Sequence, residues 1–279
     1  MKCFIFDKKP APFPELCNST PFSDLVVHLQ NSGVTEIFSD VDENVNGVTY
    51  CDFSDARQLW LGEELLAAYS GCITRQSPVE LRDRTQALGA SVGISLAPSA
   101  KPWEYTTVLT NGDGFVEKLE INPSPENTET NLCFSNLAWI ASDKFDPENP
   151  LSNDGTAAFL LPGYWKCPDS RENFLLTVHD IMCGEIFPWP HICVPDNGIV
   201  LLSPTPANTV IRGTLWLGRN CLMENGCILE NCVILDGSTI GRNSNLRNCL
   251  VIPGATIPEN TFQHEKYLSL LGDDNGREY

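Results

Sequence analysis

Cys167 stands in GYWKCPDSRENF, residues 163 to 174, where a glycine turn and two aromatics lead into a helix. That junction more often carries an acid. A thiol there could pair oxidatively or bind a soft metal, but a zinc site normally needs four ligands and no further pair is evident beyond Cys133 or His179. The chain has twelve cysteines, scattered without a CxxC pair, so the expectation is buried thiols acting as small hydrophobes in a reducing compartment. Four histidines, His28, His179, His191 and His264, complete the soft donor set.

The elements around these groups can be read from spacing. Asp169 or Ser170 can cap a helix whose apolar positions are Phe174, Leu175, Val178, Ile181 and Met182. MKCFIF reads as a first strand, and PFSDLVVHLQNSG as a helix with Leu25, Val26 and Leu29 on one face and a stop at Gly33. TEIFSDV, GASVGISLAP and EYTTVLT read as strands, and NGDG as a hairpin turn into FVEKLEI. This alternation predicts an α/β sheet.

With 279 residues the chain can bury a large core, and 36 acids against 18 bases give a formal charge of −18. That field argues against nucleic acid or an anionic membrane as partner, since both need a basic face. MKCFIFDKKP is too short an apolar run for a signal peptide, and no stretch approaches the ~18 apolar residues of a span, so the chain reads as cytoplasmic.

Residues 217 to 262 are a repeat. Leu217, Met223, Leu229, Leu235, Ile240, Leu246, Ile252 and Ile257 recur at steps of six, twice shortened to five, with Gly, Asn or Asp between them. The pattern resembles the hexapeptide repeat of a left-handed parallel β-helix, in which each hexad gives one short strand and three complete a coil. Asn231 to Ile234 should then stack on Asn248 to Val251, with Glu230 over Arg247 and Cys232 over Cys249 as free thiols. Acyl transfer, common among such proteins, needs a coil histidine, and none falls within the clear repeats.

STPFSDLVVHLQNSGVTEI, YTTVLTNGDGFVEKLEINPSPE, LAWIAS and GYWKCPDSRENFLLTVHDIMCG, followed by the repeat, resemble the sugar-phosphate nucleotidyltransferases in the right order over nearly the whole chain. The resemblance implies a Rossmann-like nucleotidyltransferase domain followed by a short left-handed β-helix. It also implies degenerate chemistry. The glycine-rich triphosphate loop is absent, since KCFIF runs directly into DKKPAPFPELCNSTPF. Gly71 and Cys72 match the Gly-Asp motif whose acid holds magnesium. Ile121-Asn122-Pro123 matches the Glu-Lys-Pro sugar-phosphate motif, or Glu117-Lys118 in a gapped register. In Tyr164-Trp165-Lys166-Cys167 the second metal-binding acid falls on Cys167. If the fold is kept, Cys72 and Cys167 should face one another across the former site.

Magnesium takes oxygen ligands, and a thiol is soft and mostly protonated at neutral pH. The reading is therefore a catalytically inactive scaffold or regulatory protein without cofactor, pairing through the β-helix with itself or an active paralogue. A cleft for a sugar phosphate or nucleotide could survive in it. The rival is an active sugar-1-phosphate nucleotidylyltransferase in which Lys8, Lys9 and Lys118 hold the phosphates and Asp113 or Asp169 recruits magnesium. Expected boundaries are 1–184 for the first domain, a packed linker 185–204, the β-helix 205–262 and a tail 263–279, with one short helix burying Tyr267, Leu268, Leu270 and Leu271.

Overall fold

The computed structural model describes residues 1–6, 19–41, 43–59, 63–141, 155–186, 197–264 and 267–268. It divides into two units, the first holding β1 (Lys2–Phe6) and Pro21–Lys166, the second running from Cys167. The helix after GYWKC therefore belongs with the C-terminal repeat.

In the first unit β1 is followed by α1 (Pro21–Asn31), β2 (Glu36–Ser39), β3 (Val48–Tyr50), α2 (Phe53–Leu59), β4 (Leu65–Tyr69), β5 (Ile73–Thr74) and α3 (Pro78–Ala87). Then come β6 (Val92–Pro98), β7 (Thr106–Thr110), β8 (Val116–Ile121), β9 (Leu132–Ile140), β10 (Thr156–Leu160) and β11 (Trp165–Lys166). The main sheet runs β10-β6-β9-β4-β1-β2-β3, parallel throughout except for β9. The mixed α/β architecture expected from the alternation is present. β1 pairs with β2 on one side and β4 on the other, so the chain reverses its direction of winding there.

Alternation within the strands separates two apolar layers. Cys3, Ile5, Leu66, Ala68, Leu137 and Trp139 pack with Leu25, Val26 and Leu29 of α1, the face the spacing predicted. Ala67, Ile94, Leu96, Phe134, Ala138 and Ile140 form the other layer, covered by Val108, Val116 and Leu119 of the β7–β8 hairpin. Helix α1 ends before Gly33, which takes a left-handed φ of 84°. Close packing of α3 on β6 needs Gly93: a Cβ there would collide with the buried Thr85 side chain.

The second unit opens with α4 (Arg171–Met182), whose N-cap is Ser170; its Oγ accepts from the amide of Asn173 at 3.1 Å. Phe174, Val178, Ile181 and Met182 are buried. There follow β12 (Ile199–Leu201), β13 (Val210–Leu217), β14 (Leu222–Met223), β15 (Ile228–Ile234), β16 (Thr239–Ile240), β17 (Asn245–Arg247), β18 (Leu250–Val251), β19 (Thr256–Ile257), β20 (Phe262–His264) and β21 (Tyr267–Leu268). All their pairings are parallel. Leu229 lies against Leu246, Val233 against Leu250 and Ile240 against Ile257, so the chain returns to the same height every seventeen residues.

This is the register read from the repeat. Leu217, Leu229, Ile240, Leu246 and Ile257 share one buried column with Cys232 and Cys249, and neither cysteine is in a disulfide. Glu230 meets Arg247 at 3.0 Å. Asn220, Asn243, Asn248 and Asn260 in the turns between strands, and Asn231 within β15, are all left-handed. Asn231 donates to Asn248 and Asn243 to Asn260 across successive turns.

The helix expected in the tail is not found among the described residues. Tyr267 and Leu268 form a strand against Leu250 and Val251, not a helix, because the parallel ladder offers their backbone groups partners. Leu270 and Leu271 lie outside the described residues. Within the segment expected as a packed linker, Ile199 packs on the column and Ile199 to Leu201 pair with Leu215 to Leu217.

A candidate site at the carboxyl edge of the sheet

In open parallel sheets, ligands sit outside the carboxyl ends of the strands where the strand order reverses. Here that point lies between β1 and β4. Their last residues, Phe6 and Tyr69, are register partners, and their rings stack with centroids 5.3 Å apart. Phe53 packs on Phe6 at 5.1 Å and Phe134 meets Tyr69 edge-on at 5.6 Å. Burial pushes the Tyr69 phenol up to about 12, so it stays a neutral hydrogen-bonding group at ordinary pH. The switch point thus carries an aromatic surface.

Beyond Tyr69 the chain turns through Gly71, left-handed at φ 84°, to Cys72 and β5. β5 pairs antiparallel with β11, Thr74 opposite Trp165 and Ile73 opposite Lys166, and the Arg75 amide donates to the Tyr164 carbonyl at 2.8 Å. This approach demands glycine at 163: a Cβ there would lie 2.6 Å from the Arg75 carbonyl oxygen. Tyr164 lies 5.9 Å from the Lys166 ammonium, and Tyr105 packs edge-on against Trp165 at 5.2 Å.

A buried polar network holds this segment. Arg75 donates both terminal nitrogens to the carboxylate of Asp24, at 2.8 and 2.6 Å. His28 donates its Nε2 hydrogen to the Gln76 carbonyl at 2.9 Å. The Gln76 amide donates to the carbonyls of Leu96 and Leu161, while its oxygen accepts from Ser135. Burial holds the His28 pKa below its ordinary value, outweighing the bond to Gln76. None of Asp24, His28, Gln76 or Ser135 had been singled out for this role. Only an Arg or Gln flanking a predicted site could have hinted at it.

Cys72 and Cys167 are both disulfide-bonded and both buried, 2% and 3% exposed. The expectation of inert free thiols at these positions is thereby corrected. Spacing could not show it, because oxidation depends on which sulfurs the fold brings together. A disulfide sulfur carries no charge and is a poor donor for a hard ion, so these two residues do not fit magnesium. Among the described residues no group of three or more His, Cys, Asp and Glu could hold a metal ion.

The remaining candidates are spread out. Ile121 is 80% exposed at the end of β8, and Asn122 follows in a left-handed conformation, its amide bonded to the Tyr105 carbonyl. Lys118 is held by Glu129 at 2.6 Å and Glu120 at 2.9 Å, carboxylates an anion would have to displace. Asp113 sits in the exposed β7–β8 turn, its amide bonded to Asn111. Asp169 accepts from the Asn173 side chain at the start of α4. Lys8 and Lys9 lie outside the described residues. Against the expectation that no histidine lies on the coils, His264 ends β20 in line with Arg247.

No family model matches the chain, and no curated protein matches it. Among solved structures, a Bacillus anthracis protein provisionally assigned as a glucose-1-phosphate thymidylyltransferase, in complex with sucrose, matches at a TM-score of 0.51. Identity is 8%, over 64% of this chain and 94% of that one. Over that part of its length the chain shares the fold of that protein.

Proposed function

We propose that this chain is a catalytically silent nucleotidyltransferase-like protein that acts as a binding scaffold or regulatory subunit. One observation carries the reading: Cys72 and Cys167, which the resemblance aligns with the metal-holding acids, are both locked in disulfides. Nucleotidyl transfer needs charge on the phosphates neutralised in the transition state. Neither position can help to supply a divalent ion for that purpose. The aromatic rings of Phe6 and Tyr69 at the switch point support the same conclusion, since they offer stacking surface instead of phosphate contacts.

We read the seventeen-residue returns of the second unit as a short left-handed β-helix, with self-association or pairing to an active relative as its role. Phe262, 73% exposed on the last full strand, supplies apolar surface for such a contact. The test of silence is pyrophosphate release from a panel of nucleoside triphosphates and sugar 1-phosphates with magnesium or manganese. The expected rate equals background; turnover above it overturns the reading.

A further inference from the structure

A cavity of about 570 Å³ lies between α4 and the parallel strands of the second unit. Among the described residues its walls come from α4 on one side, and from β13, β15 and the turn before β18 on the other. Cavities of roughly 300–1,000 Å³, lined mainly by apolar groups with a few polar ones, are the usual form of a small-molecule site. α4 contributes Leu175, Val178 and Met182, whose spacing of three and four puts them on one stripe. Val178, Met182, Cys232 and Val233 are at most 4% exposed and form the floor, whereas Leu176 stands on the wall 45% exposed.

The opposite rim is polar. Asn231 and Asn248 take left-handed conformations, φ 50° and 48°, where β15 changes partner from β17 to β18. Asn231 uses both ends of its carboxamide: the oxygen accepts from the Thr214 amide at 3.1 Å, and the nitrogen donates to the Asn248 oxygen at 3.3 Å. The ladder ends there. Among the described residues no group accepts from the Asn248 nitrogen, and Asn248 lines the cavity, so an N–H donor stands at its rim.

Charge narrows the ligand. No lysine or arginine is among the described residues lining the cavity, Glu172 stands on its rim beside His179, and the whole chain carries −18. That field opposes an anion. A cation would answer Glu172, but it would leave the Asn248 donor without an acceptor and add positive charge beside the first turn of α4, where the helix dipole is already positive. We propose that this cavity binds an uncharged, largely apolar organic molecule bearing a carbonyl oxygen. Its body fills the space against Leu175, Leu176 and Met182, and its carbonyl accepts from the Asn248 amide. The site lies within the second unit and does not depend on the noncatalytic reading above.

The probe is Nile red, an uncharged aromatic ketone, compared with anionic anilinonaphthalene sulfonate and cationic crystal violet in fluorescence titrations of the full chain. Nile red should bind saturably, at least about tenfold more tightly than either charged dye. Leu176→Asp changes an exposed wall position and should weaken Nile red on the order of tenfold without lowering the melting temperature. Asn248→Asp keeps an oxygen for Asn231 and tolerates the left-handed backbone, yet removes the donor; it should weaken the dye about tenfold as well. Phe262→Asp, at an exposed ring that does not line the cavity, should leave the affinity unchanged. Absence of saturable Nile red binding overturns the proposal, as does equal or tighter binding of a charged dye. Unchanged affinity in Leu176→Asp or in Asn248→Asp overturns it too, and so does a loss confined to Phe262→Asp. Pyrophosphate release would overturn catalytic silence and leave this binding result untouched.

Discussion

A carboxylate at position 72 or 167 would offer hard oxygens to a divalent ion, whereas a sulfur in a disulfide offers neither charge nor an open coordination site. Alkylation of the denatured, unreduced protein should therefore leave the peptides carrying Cys72 and Cys167 unlabelled, while the exposed Cys183 reacts even in the native state. Mass spectrometry checks this, and labelled Cys72 and Cys167 would remove the main support for silence. His28 gives a second prediction at this scale. Its folded pKa is depressed chiefly by burial, with Arg75 pushing the same way and Asp24 opposing. On acidification the unfolded chain takes up this proton first, so stability rises with pH across the window below the ordinary histidine pKa and is lost as pH falls through it. The melting temperature should drop more steeply from about pH 7.5 to about pH 5.5 in the wild type than in His28→Gln. Equal slopes would show that His28 is not the titrating group.

At the scale of elements, local pattern and long-range pairing contribute differently. The α1 face, the β7–β8 hairpin and the α4 start were legible because turn residues and apolar spacing act within a few positions. Tyr267 and Leu268 were misread because their spacing suits a helix, while the parallel ladder beside Leu250 and Val251 supplies backbone partners that only the stacked repeat creates. In that repeat, stability should come from the column and not from the surface pairs. Leu246→Ala, in a position 0% exposed, is expected to cost about 2–5 kcal/mol in thermal or urea denaturation. Glu230→Gln, removing a partly exposed ion pair with Arg247, should cost less than about 1 kcal/mol. Similar losses from both variants would mean that the column is less tightly packed than its burial indicates.

At the scale of the whole molecule, the chain divides into two units. The first presents a switch point lined with aromatic rings, and the second a stack of parallel strands whose last full member exposes Phe262. If the stack serves association, light scattering should give a mass of more than one chain, and Phe262→Asp should reduce it; a single-chain mass for the wild type would exclude self-association through this end. Among the described residues no helix is long and apolar enough to cross a membrane. The disulfides at Cys72 and Cys167 are a state that a reducing compartment opposes, so their survival in protein isolated without reductant bears on where the chain works.

From the amino-acid order alone came the α/β alternation, the seventeen-residue register of the repeat and the sulfur at two positions of the resembling motifs. Each rests on periodicity or residue identity, which the chain carries locally. Tertiary structure decided that those sulfurs are oxidised, that Asp24 clamps Arg75, and that Gln76 bonds the carbonyls of Leu96 and Leu161. These facts join residues tens of positions apart, and such pairs become neighbours only when strand order and register bring them together.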